Sequence, residues 1–176
     1  AFESWPVWMI DSVSSAPEDV QTAVELILGT GQRPNAAFGM RRSDFNSDEM
    51  WVVDEKGDDR FEVGCPPRLQ AFVAALPNRG AHLLAKNLTQ AKGYDAIERQ
   101  FRKWRSSLGD AAKEYTLHGL RKLAIIELAQ AGCSDALIQA VTGQSAQTVA
   151  YYRKNADRLA MSKLAQTMRD QNKNRT

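Results

Sequence analysis

Four places along this 176-residue chain hold side chains suited to chemistry on an anionic ester. GTGQRP sets Arg33 after two glycines, where a helix can start. EKGDD sets Lys56 in a turn. HGLR sets His118 and Arg121 three residues apart, so one helical face carries both. AYYRK puts Tyr151 and Tyr152 beside a basic pair. If the target is a phosphodiester, each residue type has a use. Arginine grips two phosphate oxygens with a planar fork and keeps its charge. Two arginines can neutralise the extra charge of a pentacoordinate transition state. A tyrosine hydroxyl can attack phosphorus and form a covalent intermediate. Its ordinary pKa is about 10, so cations and a base must assist. Histidine can take that proton, and lysine can protonate the leaving 5′-hydroxyl. On this reading no metal is required, because arginines stand in for it. The sequence has no clustered carboxylates or Cys/His ligand spacing.

Taken singly, each of these residues has a plainer reading. Arg33 is an ordinary surface arginine at a helix start, Lys56 a solvated turn lysine, and His118 a residue lining a helix end. His82 reads as structural, and Trp5, Trp8, Trp51 and Trp104 read as core or edge packing. RKWR, Arg102 to Arg105, fits a phosphate contact and a solvated helical face equally well.

The elements that must position these side chains follow from periodicity and punctuation. Pro17 with EDVQTAVELIL reads as a helix with acids in its first turn, stopped by Gly29 and Gly31. A short helix follows over Arg33 to Met40. The period then changes: Trp51 to Val53 and Phe61 with Val63 form a hairpin across EKGDD. PPRLQAFVAAL is a helix with proline at its start, and HLLA from His82 reads as a third short strand. Helices follow over Thr89 to Leu108 and His118 to Ala131, the latter closed by Gly132. Ser134 is an N-cap for SDALIQAVTG, which Gly143 ends. SAQTVAYYRK and an amphipathic segment from Asp157 to Met168 complete the chain, with Leu159, Ala160, Leu164 and Met168 on its apolar face. The expected class is α+β, mainly α-helical, with a small three-stranded antiparallel sheet.

Composition narrows the partners. The chain is 43% hydrophobic and 25% charged with a net charge of +2, so any nucleic-acid surface arises from local clustering. No apolar run approaches the ~20 residues a membrane helix needs. Cys65 and Cys133 lie far apart, which points to a reducing cytosol. The first residue is not methionine, which suggests that upstream sequence was removed.

In this order and setting the residues resemble the catalytic domain of the tyrosine recombinases, the phage integrase family. TGQRPNAAFGMRRSDF resembles the family's first-arginine segment, down to the aspartate eleven residues after the arginine. VVDEKGDDRFEV resembles its lysine hairpin. LHGLRKLAIIELAQAGCSDALIQAVTGQS resembles its His-x-x-Arg helix, the next helix and the glycine turn, and TVAYYRKNADRLA its nucleophile helix. The resemblance runs from about Pro17 to Leu164. It implies the DNA breaking-rejoining fold and site-specific recombination of a prophage or mobile element through a 3′-phosphotyrosyl intermediate, without cofactor or metal. The implied site is Arg33, Lys56, His118, Arg121, Gln144 and the nucleophile Tyr152. The implied partner is double-stranded DNA, held by a homotetramer of the full-length protein in a bacterial cytoplasm at the nucleoid. No membrane partner is implied, and the isolated chain is expected as a monomer that binds DNA weakly. Residues 1–16 are expected as a lead-in from a missing upstream domain, 17–168 as the catalytic domain and 169–176 as a polar tail.

Three positions depart from the family pattern. Gln144 stands where the family has a second histidine or a tryptophan, and it can donate a hydrogen bond but carry no proton charge. Ala36 stands where an acid is common. The spacing from Val149 selects Tyr152, whereas counting from the preceding glycine keeps Tyr151 in play. Two rival readings stand beside this one. SDALIQAVTGQSAQTVAYYRK also fits a helix-turn-helix of a non-catalytic DNA-binding regulator, with Tyr152 and Arg153 reading DNA. A decayed recombinase that only binds DNA is the other. A type IB topoisomerase shares the chemistry, but the segment around Arg121 fits a recombinase better.

Overall fold

The structure is a computed structural model that describes residues 2–53, 59–130, 134–153, 162, 165–167 and 169–171. Lys56, the glycine stop at Gly132, Cys133 and the apolar positions Leu159, Ala160, Leu164 and Met168 lie outside the described residues.

Helix α2, Glu18–Thr30, sits at the centre of the fold. Glu18 and Asp19 occupy its first turn, where the helix dipole favours acids. Asp19 also accepts from Lys92 Nζ at 2.5 Å and Gln100 Nε2 at 2.8 Å, which ties this end to the later chain. Val20, Ala23, Val24, Leu26, Ile27 and Thr30 are buried, a stripe wide enough to meet several neighbours at once. Gly29 was expected to stop this helix; it lies inside it instead. A Cβ at Gly29 would approach Leu69 Cδ2 to 2.8 Å, so this glycine admits the helix α4, Pro67–Ala75, rather than ending α2. Gly31 is the stop, at φ +68° with its N–H on the Ile27 carbonyl at 2.7 Å.

Helix α1, Val7–Asp11, precedes α2, and α3, Pro34–Phe38, follows it with proline at its first position. Strands β1, Phe45–Asn46, β2, Glu49–Val53, and β3, Arg60–Gly64, make an antiparallel sheet in the order β1-β2-β3. Met50 pairs with Val63 and Val52 with Phe61, and Met50 and Val52 are buried while Glu49 and Trp51 are exposed. That alternation is the period-two pattern of a half-buried sheet.

The third strand is β1, not the segment from His82. His82 forms only an isolated bridge to Arg41. The reason lies in where its neighbours' backbone groups go. Ala81 N–H bonds to Leu88 O at 3.0 Å and Lys92 N–H to Leu84 O at 2.7 Å, which closes a loop, while Arg42 N–H on Ala81 O at 2.9 Å and Leu83 N–H on Met40 O at 3.2 Å tie that loop to the chain before the sheet. The same loop delays the following helix, α5, to Tyr94–Ser107 rather than Thr89. Asn87 Oδ1 accepts from the N–H groups of Thr89 and Gln90, a local turn that competes with helix.

Helix α6, Gly119–Gln130, is buried on most sides and packs against α2. Helices α7, Asp135–Thr142, and α8, Ala146–Arg153, pack on it and on each other. Ser134 caps α7 by accepting from Leu137 N–H. Ile125, Ala129, Ile138 and Val149 form an apolar cluster among these three helices, with Leu128 and Tyr152 against it. The larger core joins α1, α2, the sheet, α4 and α5. It also takes in Trp5, Met9, Val13 and Ala16, so residues before 17 pack into the same core as those after it. Trp5 is 3% exposed and stacks on Phe101 at 5.7 Å, and Trp104 is 5% exposed. Trp8 and Trp51, expected as packing residues, are partly exposed: Trp8 meets Tyr115 edge-on, and Trp51 lies under the Arg60 guanidinium.

Candidate active site

The site is built around one backbone oxygen. Because Gly31 adopts a left-handed conformation at the end of α2, the chain reverses there and leads two residues later to Arg33, exposed at the start of α3. The Gly31 carbonyl accepts from Arg121 Nε at 3.0 Å and from Gln144 Nε2 at 2.7 Å. Arg121 is 6% exposed and Gln144 3% exposed. A buried charge-assisted bond of this kind fixes a guanidinium far better than solvent would. Three stretches distant in sequence are thereby joined: the α2–α3 turn, α6 and the α7–α8 turn. Gln144 Oε1 is buried and has no hydrogen-bond partner among the described residues. The amide is thus oriented by the carbonyl and leaves an acceptor unused.

His118 immediately precedes α6 and is half-buried. Its pKa is held below the ordinary histidine value, first by burial, then by the Arg121 charge. Arg33 pushes it the same way, while Glu98 of α5 opposes. Both guanidinium groups therefore lie within electrostatic reach of one imidazole. Arg121 thus links two groups: it shares the Gly31 carbonyl with Gln144, and with Arg33 it acts on His118. At neutral pH such an imidazole is unprotonated and able to accept a proton.

The hairpin reaches the same place. Gln32, 4% exposed, accepts from Val53 N–H at 3.0 Å and donates to Met40 Sδ at 3.2 Å. Gly143, at φ +69°, lies against the other strand, where a Cβ would meet Phe61 Cζ at 2.5 Å. The hairpin end that leads to Lys56 is thus held between the turn carrying Arg33 and the turn carrying Gln144. Asp44, eleven residues after Arg33, accepts from Arg41 N–H at 2.8 Å and pairs with Arg60 of β3, which ties the arginine segment to the sheet. Ala36 borders a cleft of about 740 Å³ lined also by Asn35, Arg41, Trp51 and Arg60.

Tyr152 packs, half-buried, on the cluster shared by α6, α7 and α8, and its ring meets Tyr151 edge-on at 5.3 Å. Tyr151 is 45% exposed. Arg153 forms an ion pair with Asp135 at the start of α7. That pair turns Arg153 toward its own fold, which does not suit a recognition helix that reads bases. Arg105 likewise donates to Tyr115 O at 2.8 Å, and Arg102 pairs with Glu98, so the RKWR cluster has structural partners. Among the described residues no group of three or more His, Cys, Asp or Glu is placed to hold a metal ion.

Several contributors escaped the sequence reading. Gly31 was legible as a helix stop but not as the acceptor that joins two active-site donors. Gln32 and Glu98 had no motif to mark them. Phe2, whose ring stacks on His118 at 4.7 Å, lies over a hundred residues away in sequence.

The sequence profile of the phage integrase family matches residues 9–158. Comparison with curated protein sequences finds no significant match. Among solved structures, the fold resembles a lambda integrase(75–356) dimer bound to a COC′ core site, with a TM-score of 0.69 and 19% identity over 89% of this chain and 60% of that one. It resembles XerA recombinase with a TM-score of 0.63 and 20% identity over 92% of this chain and 60% of that one. The catalytic domain of bacteriophage HP1 integrase matches with a TM-score of 0.63 and 15% identity over 89% of each chain. The chain thus spans about 60% of the lambda integrase and XerA chains. With most of its length covered by the profile, and with the fold to match, the chain belongs to the phage integrase family.

Proposed function

We propose that this chain is the catalytic domain of a tyrosine-type site-specific DNA recombinase that integrates or excises a mobile element or prophage. The observation that carries the reading is that Arg121 and Gln144 share the Gly31 carbonyl while the Arg121 and Arg33 charges both act on the His118 imidazole. Arg33 and Arg121 hold the non-bridging oxygens of one phosphate, with Gln144 beside them. The Tyr152 oxygen attacks phosphorus while its proton passes to His118. The bond from phosphorus to the 5′-oxygen breaks, and Lys56 protonates that oxygen. The product is a 3′-phosphotyrosyl bond and a free 5′-hydroxyl. A partner strand's 5′-hydroxyl then attacks the phosphotyrosine, so the bond energy is conserved and no nucleotide is consumed. Arginines supply the charge neutralisation that a metal supplies elsewhere.

The partner is double-stranded DNA, and the working form a homotetramer of the full-length protein. Support comes from lambda integrase, whose tetramer is bound to a Holliday junction, and from XerH in a post-cleavage complex with its difH substrate. Among the described residues no helix is long and apolar enough to cross a membrane. The place of action is the bacterial cytoplasm, at the nucleoid. A helix-turn-helix regulator has no use for Arg33 and Arg121 acting on His118, so this arrangement favours the enzyme.

A nicked suicide duplex carrying the element's attachment sequence tests this. The full-length protein is expected to form a covalent adduct that survives denaturing electrophoresis, and Tyr152→Phe to abolish it while Tyr151→Phe retains it. Adduct from the Tyr152→Phe protein would move the nucleophile to Tyr151. DNA binding with no adduct from the wild type would mark a decayed recombinase.

A further inference from the structure

Residues 2–5 run as a strap across the first turn of α6, the element that carries Arg121 and that His118 immediately precedes. Three contacts hold it there. Lys122, 6% exposed, donates its ammonium to Phe2 O at 3.2 Å. Trp5 Nε1–H donates to Thr116 O at 2.7 Å. The backbone of Glu3 passes so close to Gly119 that a Cβ there would lie 2.2 Å from Glu3 O. Burying a lysine is unfavourable unless its charge finds an acceptor, and here the strap's own backbone is that acceptor. The outcome of this anchoring is specific: the Phe2 ring lies on the His118 imidazole, nearly parallel at 16° and 4.7 Å between centroids. Phe2 itself is 44% exposed, so its burial contributes little to the core.

We propose that Phe2, held in place by Lys122, Gly119 and Thr116, is a positioning residue that fixes the plane of the His118 imidazole for proton transfer. The inference rests on the recombinase reading for its catalytic meaning but on geometry alone for the contact. An imidazole on a free rotor spends most of its time misaligned, and a small misplacement of a proton acceptor slows transfer strongly. A flat ring against one face removes that freedom without touching either nitrogen. It also keeps water off that face. The charges that face the imidazole are Arg121 of α6, Arg33 at the start of α3 and Glu98 of α5. Lys122 of α6 is engaged by Phe2 O, and Glu3 of the strap acts on Tyr115.

The spectra use the chain as it is and the adduct assay the full-length protein, each with Phe2→Ala, Phe2→Tyr and Gly119→Ala. The last introduces a better helix former that displaces the strap without altering the Phe2 ring. The chain has two histidines, so His82→Gln assigns the imidazole resonances. In the wild type the His118 ring protons are expected upfield, shielded by the stacked ring. Phe2→Ala and Gly119→Ala should both remove that shift. Both should also raise the His118 titration midpoint, because solvating the imidazolium outweighs the ring face's weak attraction for a cation. Phe2→Tyr should restore the wild-type spectrum. In single-turnover adduct formation on a nicked suicide duplex, both disrupting variants should be about tenfold slower with unchanged DNA affinity, and their acid limb should move to higher pH. His118 resonances and midpoint unaltered in Phe2→Ala would overturn the proposal. So would a spectrum that changes while adduct formation keeps the wild-type rate and pH profile. If the wild type forms no adduct at all, the recombinase reading fails, and the spectra still decide whether Phe2 orients His118.

Discussion

At the scale of single residues, the candidate site is marked by shifted environments more than by unusual residue types. His118 is half-buried, and burial and the Arg121 and Arg33 charges lower its pKa. Adduct formation is therefore expected to hold at neutral pH and to fall as pH drops through a midpoint below the ordinary ~6.5. His118→Gln should slow it by roughly 10²–10⁴-fold and flatten that limb, as read from single-turnover rates against pH. The linkage to stability has the same direction. With a lowered folded-state pKa the unfolded chain binds the proton more readily. The imidazole thus opposes folding below its folded-state pKa, and this opposition is gone above about 6.5. Cys65 shows the effect of burial alone. Its thiol is pushed up to about 11 by desolvation. In a Cys133→Ser background, Cys65 is expected to react with a thiol reagent at pH 8 far more slowly than a free cysteine, and to reach the free rate only in denaturant.

At the scale of elements, the turns matter more than the helices they join. Gly31 ends α2 and presents the carbonyl that Arg121 and Gln144 share. Gly143 ends α7 and lets Phe61 of the hairpin come against the turn. Both have positive φ, which a side chain disfavours by about 1 kcal/mol or more. At Gly143 the Cβ would also press into the Phe61 ring at 2.5 Å. Gly143→Ala is expected to destabilise the fold by roughly 1–3 kcal/mol, measured by denaturant unfolding. It should reduce adduct formation more than DNA binding, because it parts the hairpin bearing Lys56 from the turn bearing Gln144.

For the molecule as a whole, α6 joins two apolar clusters, giving Leu120 to the core that holds Trp5 and Ile125 and Ala129 to the cluster with α7 and α8. Trp5 is central to the first, stacked with Phe101, close to Trp104 and bonded to Thr116 O. Trp5→Ala is expected to cost about 3–5 kcal/mol and to lower the urea midpoint accordingly. An effect near zero would show that residues 2–16 are dispensable packing. Trp5 also links the strap over His118 to the core, so a loss at Trp5 should also reach the site.

Much of this protein was legible in its residues. Arg33, His118 and Arg121 could be nominated as candidates because arginine forks and an imidazole at i, i+3 suit one anionic ester, and the helices could be placed because apolar spacing and glycine stops are local signals. The α7 cap at Ser134 and the stops at Gly31 and Gly143 needed no tertiary information. What the fold alone decided were matters of partnership. Gly29 looked like a stop and is a packing gap for Leu69. The segment from His82 looked like a strand but makes one bridge to Arg41 and loops back on Leu88 and Lys92, while Phe45–Asn46 pairs with β2. Gln144, expected at the phosphate, has a partner that no local pattern announces, the Gly31 carbonyl. Phe2 had no signal at all. Local pattern reports what a stretch of chain prefers by itself. A hydrogen-bond acceptor over a hundred residues away, or a ring laid on an imidazole, exists only once the whole chain has closed around its core.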